Sequence, residues 1–207
     1  MFVDLNAPNN LKRAIFNAIV APRPIGWISS VSAAGKVNLA PFSHFNLVST
    51  APPTLIFSCN SPPDRPEKDS VANARATGEF AVNLVTRDLA EAMNRTSMPL
   101  PHGEDEFELA GLEKAPCNLI RAPRVKASPA SFECRVLQIV EIQPERAGET
   151  KSNVVFGRII GVHIADDYLD DRGRFLTAKA RPLARLGGDF YSEASDLFEL
   201  RAPFKKV

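Results

Sequence analysis

Apolar and polar residues follow two different periods along this 207-residue chain. Strict alternation, which is typical of a half-buried strand, is clearest in residues 131–136, where Phe132, Cys134 and Val136 share one side. Apolar residues at helical spacing occupy the run 11–20, which ends before two prolines. The pattern therefore predicts a chain built mostly of strands, with a few short helices inserted between them.

Clusters of turn-forming residues separate the predicted strands. The strands cover residues 25–31, 37–47, 54–59, 80–85, 118–127, 131–142 and 153–164. The predicted helices cover residues 11–20, a segment from the N-cap Asp69 to Gly78, and a segment that Thr86 caps. Residues 97–117 are acidic and contain prolines, so we predict a long irregular surface excursion there.

The order of these elements decides the fold class. Helices do not alternate regularly with the strands, which disfavours a doubly wound parallel sheet. Pro41 lies inside the strand 37–47 and indicates an edge or a bulge, because proline cannot donate to the hydrogen-bond ladder. We predict a mainly β fold, a closed antiparallel barrel with inserted helices, in a single domain over residues 1–207.

Charge and cysteine content narrow the function classes. Lys and Arg number 25 and Asp and Glu number 24, so the formal net charge is +1. We predict no nucleic-acid or membrane partner, because both need a basic surface excess. Three cysteines without a Cys-x-x-Cys pair, and an N-terminus that carries Asp4 and no cation before Lys12, predict a cytoplasmic protein without a signal peptide. With three histidines we predict no metal site.

Two stretches contain candidate binding chemistry. The first, residues 23–46, is dense in hydroxyl and amide groups, and Pro41 frees backbone groups beside them. It suits the polar rim of a planar heteroaromatic ligand, or a polar outer sheet face with a bulge. The second, residues 60–70, places Arg65, Lys68 and Ser70 at a helix start, which suits a phosphate, although such charges also occur on ordinary surfaces.

Other features leave more than one interpretation open. Residues 181–191 combine two arginines with Gly187-Gly188, which favours either close approach of backbone to a ligand or a turn before a final helix. His163 lies among apolar residues, as expected for a satisfied core or interface histidine. Neither a Rossmann Gly-x-Gly-x-x-Gly fingerprint nor a Walker A loop occurs in the sequence.

Seven segments, in order along the chain, together resemble the flavin reductase-like family of FMN-binding split-barrel proteins. The opening segment is Arg23-Pro-Ile-Gly-Trp-Ile-Ser-Ser30, followed by Gly35-Lys-Val-Asn-Leu-Ala-Pro-Phe-Ser-His-Phe-Asn46. Lys68-Asp-Ser70 with Asn73 resembles the family's phosphate-side helix start. Residues 105–112, 127–136, 157–163 and 185–191 resemble its excursion, later strands and tail.

The resemblance implies a split barrel, a homodimer and one FMN per subunit near the dimer interface. Carried over by position, Ser29, Ser30 and the backbone of Ala40, Pro41, Phe42 and Ser43 would contact the flavin ring or ribityl chain. Phe45 and Asn46 would lie at the ring's edge, with Cys59 and Asn60 nearby. Arg65, Lys68, Asp69 and Ser70 would surround the phosphate, with Arg23 as a further candidate. The resemblance supplies no catalytic acid or base.

The implied activity is an FMN-dependent NAD(P)H:flavin oxidoreductase, with a monooxygenase as a possible acceptor of the reduced flavin. In this family NAD(P)H would dock over the exposed flavin, so the absence of a Rossmann fingerprint is expected. The alternative is a flavoredoxin-like FMN electron carrier that serves a protein partner. An oligonucleotide-binding barrel is a third hypothesis, which the balanced charge disfavours.

Overall fold

Twelve strands and five α-helices are defined in the computed structural model, which describes residues 1–101, 103–146 and 148–201. The strands are β1 (Arg23–Pro24), β2 (Gly26–Val31), β3 (Val37–Phe42), β4 (Phe45–Thr50), β5 (Pro53–Asn60), β6 (Glu79–Leu84), β7 (Lys114–Ala115), β8 (Arg124–Val125), β9 (Ala130–Ile142), β10 (Ser152–Ile164), β11 (Leu183–Arg185) and β12 (Tyr191–Glu193). The helices are α1 (Ala14–Ile19), α2 (Asp69–Thr77), α3 (Ala90–Arg95), α4 (Glu106–Ala110) and α5 (Thr177–Ala180). Within the described ranges no helix is long and apolar enough to cross a membrane.

The central sheet curls into a split barrel. Its seven antiparallel strands follow the order β3-β2-β6-β9-β10-β5-β4, so β3 and β4 form its two edges. Only Ser43 and His44 connect these edge strands, and a two-residue link can join them only if the sheet bends until its edges approach. No ladder joins β3 to β4, so the barrel is closed in shape but split in hydrogen bonding. The predicted mainly β, antiparallel barrel fold is confirmed.

Two apolar clusters occupy opposite faces of β2. Ile28 packs inside the barrel with Phe57 and Phe80, whose ring centroids are 5.1 Å apart, and α2 covers this cluster. The neighbouring residue, Trp27, points the other way and packs in a second cluster with Phe107 of α4. All six residues of β2 are therefore buried, and the strand lies in the middle of the molecule.

The predicted strand 37–47 is wrong, because the chain turns at Ser43 and continues in a different strand. Pro41 lies in the edge strand β3, opposite Trp27 of β2, where a missing N–H donor is tolerated. The following residues form β4, which pairs with β5. The predicted edge position of Pro41 is thus confirmed, while the strand's extent is corrected.

The predicted strand 118–127 is also wrong, since only its short segment β8 forms a ladder, with β7. The backbone N–H groups of Asn118 and Leu119 donate instead to the carboxylate of Glu133, at 2.7 and 2.6 Å. That of Arg121 donates to Glu79 at 2.8 Å. Side-chain acceptors therefore hold this segment against the sheet as a loop.

Several smaller boundaries differ from the predictions. Residues 97–117 contain α4 and the fully buried Phe107, so they are not a surface excursion; His102, within that range, lies outside the described residues. The N-cap of α2 is Lys68, and Asp69 is the first helical residue. The turn at 187–188 joins β11 to β12, with no final helix in the described tail. The long strands β9 and β10 and the C-terminal Gly78 of α2, with φ of 71°, are as predicted.

Candidate functional site

A pocket of about 220 Å³ opens beside the first turn of α2. Three segments form its walls: the edge strand β3, the proline-rich loop with the start of α2, and the loop after α3 together with α4. The lining residues are Asn38, Ala40, Pro41, Pro62, Arg65, Lys68, Asp69, Ser70, Thr96, Ser97, Met98, Pro99, Leu100 and Glu106. Six predicted site residues, from two segments far apart in sequence, therefore share one cavity.

Positive groups concentrate at this helix start. Arg65 pairs with Asp69 at 3.3 Å through Nη1, whereas its Nε is buried and lacks a hydrogen-bond partner within the described structure. Lys68 is exposed, and its Nζ lies 5.7 Å from the centroid of the Phe42 ring. The first-turn N–H groups of a helix have no intrahelical acceptor and carry the positive end of its dipole. The pocket is therefore suited to an anion that accepts several hydrogen bonds.

A chain of polar groups forms the floor of the pocket. The Asn38 amide lies 2.9 Å from Ser70 Oγ, and with its nitrogen turned toward Glu106 it donates to Oε1 at 3.3 Å. Glu106 Oε2 accepts from the backbone N–H of Leu39 at 2.8 Å. Through this chain, α4 fixes the position of the edge strand relative to the start of α2.

Glu106 also controls the charge of the pocket. Burial raises its pKa above the ordinary value of 4.5, and the charges of Asp69 and Asp105 act in the same direction, against the N–H bond from Leu39. A protonated Glu106 leaves Arg65 and Lys68 opposed only by Asp69, whereas ionisation cancels their excess. The pocket attracts an anion most strongly while Glu106 is neutral.

Ser29 and Ser30, which the resemblance places beside the flavin, do not line this pocket. Both are completely buried, on opposite faces of β2. The Ser29 hydroxyl donates to the carbonyl of Pro123, and Ser30 Oγ accepts from Asn73 of α2 at 3.1 Å. Their hydroxyls fasten a loop and a helix to the sheet, because strands buried on both faces must bond their polar groups internally.

Arg23 lies at a different place again. Its guanidinium donates to the carbonyls of Asn17, Val20 and Leu186, with the last two at 2.6 and 2.9 Å. It therefore joins the end of α1 to the region after β11. The structure does not bring it to the pocket at α2.

The remaining predicted residues are divided between the barrel interior and its surface. Phe42 and Cys59 belong to the barrel core, where burial raises the pKa of the Cys59 thiol to about 11. Asn60 is exposed and accepts from Ser152 at 2.7 Å. Ser43 is half-buried at the turn between the edge strands, and Asn46 is exposed on β4.

Phe45 lines a second cavity, of about 330 Å³ and almost wholly apolar. Its walls come from the barrel strands, from Ile25 just before β2 and from Phe175; the lining residues are Ile25, Phe45, Val82, Asn83, Leu84, Ala130, Phe132, Val162, Ile164 and Phe175. The Phe45 ring lies against Gly26, where any Cβ would approach it to 2.4 Å. Glycine at position 26 therefore allows the ring to take this place.

Sequence reasoning missed Glu106 and Thr96 as pocket residues. Thr96 Oγ1 accepts from the indole N–H of Trp27 at 2.9 Å and donates to the carbonyl of Met93. One signal in the sequence could have indicated Glu106: the apolar Phe107 lies within an acidic run. Phe107 packs in the core, and its neighbour Glu106 is therefore buried as well. Thr96 had no comparable signal in the sequence.

A larger cleft of about 490 Å³, lined by Arg87, Glu91, Arg181 and Glu193 among others, competes as an anion site. Its cations are already paired, since Arg181 bonds both carboxylate oxygens of Glu193, at 3.1 and 3.0 Å. Arg87 lies 3.8 Å from the same carboxylate. In the pocket at α2 Arg65 is also paired, but Lys68 enters no ion pair within the described residues, and this cation favours the pocket at α2 as the anion site.

His163 is satisfied within the protein, as predicted. Its Nε2 lies 2.6 Å from Glu133 Oε1, and its side chain is mostly buried. Burial alone would raise the pKa of Glu133, but bonds from Asn118, His163 and Leu119 outweigh burial and lower it. This pair faces the loop 116–123 and not α2.

Comparison with known proteins agrees with this architecture. The family model described as flavin reductase like domain matches residues 20–184. An uncharacterized protein of Aquifex aeolicus is 38% identical over 176 residues, covering 85% of this chain and 86% of that protein.

Two solved structures are similar over nearly the full length. Nitrilotriacetate monooxygenase component B from Bacillus cereus gives a TM-score of 0.87 at 28% identity, covering 97% of this chain and 98% of that one. The 2-nitrobenzoate 2-nitroreductase NbaA of Pseudomonas fluorescens gives 0.84 at 26% identity, covering 98% and 96%. These matches support the expected flavin cofactor, and the chain belongs to the flavin reductase like family.

Proposed function

We propose that this protein is an FMN-dependent oxidoreductase that takes electrons from NADH or NADPH, and that the pocket at α2 holds the FMN phosphate. The observation that carries the proposal is the convergence of Arg65, Lys68, Ser70 and the α2 N-terminus on one cavity. Family membership supports a flavin as the ligand.

The residues present fit the phosphate end of FMN. The buried, unpartnered Nε of Arg65 supplies a hydrogen-bond donor without an acceptor, which is a cost unless a ligand satisfies it. Lys68 adds a charge on the exposed side, and Ser70 lies in the first turn with its hydroxyl bonded to Asn38. Asn38 and Glu106 line the floor of the same pocket, and we propose that they bond hydroxyl groups of the ribityl chain.

Bound FMN would supply the redox chemistry, accepting a hydride from a nicotinamide and later releasing electrons to an acceptor. The protein's own part is to bind and orient. Arg65 and Lys68 fix the anionic end, and the edge strand at Ala40 and Pro41 presents backbone without a neighbouring strand on that side. No acid or base is required for these roles.

A homodimer is part of this proposal. Helix α1 has no buried residue, and Ile19 and Val20 at its end are 70% and 64% exposed. Apolar side chains left in water on so short a helix favour coverage by another chain, and a second copy is the occupant that we propose. The similarity to a monooxygenase component B supports a monooxygenase as the acceptor of reduced flavin.

The spectrum of the purified protein tests the activity. Loaded with FMN under anaerobic conditions, it should lose flavin absorbance near ~450 nm on addition of NADH or NADPH and regain it in air. Absence of reduction by either nucleotide, with chemical reduction intact, would overturn the reductase proposal and support an electron carrier. A protein that retains no flavin at all would contradict both.

A further inference from the structure

Three potential metal ligands meet on the face of the sheet opposite α2. Cys117, Glu133 and His163 come from the loop 116–123, from β9 and from β10, and one ligand atom of each lies within 4.8 Å of the others. Glu133 precedes Cys134, whose side chain is in the barrel core with α2, so the carboxylate points outward. The cluster is thus separate from the proposed FMN pocket.

We propose that Cys117, Glu133 and His163 bind a divalent transition-metal ion of the zinc class. Thiolate, imidazole and carboxylate are the donors that Zn²⁺ takes in proteins, and three protein ligands leave a fourth position for water. Zinc–ligand bonds of about 2.0–2.3 Å separate neighbouring donors by about 3.5 Å in a tetrahedron. The ligand atoms, which lie within 4.8 Å of one another, would have to draw closer on binding.

The strand register builds the site. Gly161 lies directly opposite Glu133 on the paired strand, and His163 follows two residues later on the same face. Gly161 has no side chain to cover the carboxylate, although a Cβ there would make only an ordinary contact with Glu133, at 3.4 Å. The backbone N–H groups of Asn118 and Leu119, one on each Glu133 oxygen, orient the carboxylate and hold the loop that carries Cys117. Oε2 keeps a further lone pair for a cation, whereas the second lone pair of Oε1 is taken by His163 and becomes available once that bond is given up.

Binding has a defined proton balance. Burial, together with the charge of Glu133, raises the pKa of the Cys117 thiol to about 12, against a smaller opposing effect of Arg124. On coordination the S–H bond breaks, the S–Zn bond forms and the proton passes to water. The direct bond between His163 and Glu133 is replaced by two bonds to the same ion.

Equilibrium dialysis of the FMN-loaded protein against Zn²⁺, followed by metal analysis, tests the site. The wild type should bind one ion per chain, and zinc X-ray absorption should show one sulfur ligand at about 2.3 Å. Cys117→Ser and His163→Gln should each weaken binding about tenfold or more, because each removes a direct ligand. His44→Gln, which changes an exposed histidine bonded to Asn17, is the matched control and should bind as the wild type does.

Two results would overturn the proposal. One is wild-type protein that binds no zinc, and the other is zinc bound without a sulfur ligand and unchanged in Cys117→Ser. The X-ray measurement is made on the wild type, so it decides the question even if a variant folds poorly. Neither result bears on FMN binding, since the cluster and the pocket lie on opposite faces.

Discussion

Replacing Lys68 by alanine removes one cation from the pocket at α2 and leaves the fold intact. Lys68 is exposed, and the Nζ of its side chain lies over the Phe42 ring, 5.7 Å from the centroid, while its backbone carbonyl accepts from Val71 and Ala72, bonds that alanine would keep. A hydrogen bond to a charged group contributes about 1.5–3 kcal/mol, and exposure reduces this through solvent screening. We expect a loss of about 1–2 kcal/mol in FMN binding, which corresponds to about a 5- to 30-fold rise in Kd.

Quenching of flavin fluorescence during titration of apoprotein measures this Kd, and three controls make it specific. Riboflavin lacks the phosphate, so its affinity should be the same for the wild type and Lys68→Ala. Lys126→Ala removes an exposed lysine that pairs with Glu113 and does not line the pocket, so it should bind FMN normally. Added salt should narrow the difference between wild type and Lys68→Ala, because it screens exposed charges.

The reasoning would be refuted by an FMN affinity that stays within about twofold of the wild type, since the smallest expected effect is about fivefold. An equal loss of riboflavin and FMN affinity would also refute it. That result would place Lys68 beside the ring or the ribityl chain, away from the phosphate.

Three further predictions concern stability and assembly. Burial raises the pKa of Glu106 in the folded protein, so the protonated group contributes to the free energy of unfolding. This contribution is complete below pH 4.5 and is lost as the pH rises through the folded pKa. Glu106→Gln should remove the loss, so thermal unfolding over that pH range should show the variant becoming more stable relative to the wild type as the pH rises. Gly157→Ala places a Cβ 2.3 Å from the Phe80 ring and should lower the free energy of unfolding in urea by about 1–3 kcal/mol. Gly161→Ala, whose Cβ would have its nearest atoms at 3.4 Å, should lower it clearly less. Equal losses in the two variants would contradict this packing. Ile19→Glu should shift the protein toward monomer in light scattering without lowering the stability of the monomer, because Ile19 is 70% exposed; an unchanged dimer would exclude α1 from the interface.

Elements with a strong local signal were predictable from the sequence. The long strands β9 and β10 and the glycine that ends α2 depend on alternation and on a positive φ, both of which are local properties. The pocket at α2 was predictable in part, because Arg65, Lys68 and Ser70 are close in sequence to a helix start. That Ala40 and Pro41 also contact the ligand was predicted only through the resemblance to a family.

Errors arose where a distant side chain replaces a backbone partner. Residues 118–121 are apolar enough for a strand, but Glu133 and Glu79 take their N–H groups. The hydroxyls of Ser29 and Ser30 are likewise bonded to distant residues, Pro123 and Asn73. Local composition cannot show such pairings, because each depends on a residue at least 14 positions away.

The position of the phosphate in a crystal structure of the FMN complex tests the central claim most directly. The account predicts the phosphorus atom between Arg65 and Lys68 at the first turn of α2, with the Nε of Arg65 bonded to a phosphate oxygen. A phosphate bound in the cleft of Arg87 and Arg181, or anywhere else away from α2, would contradict it.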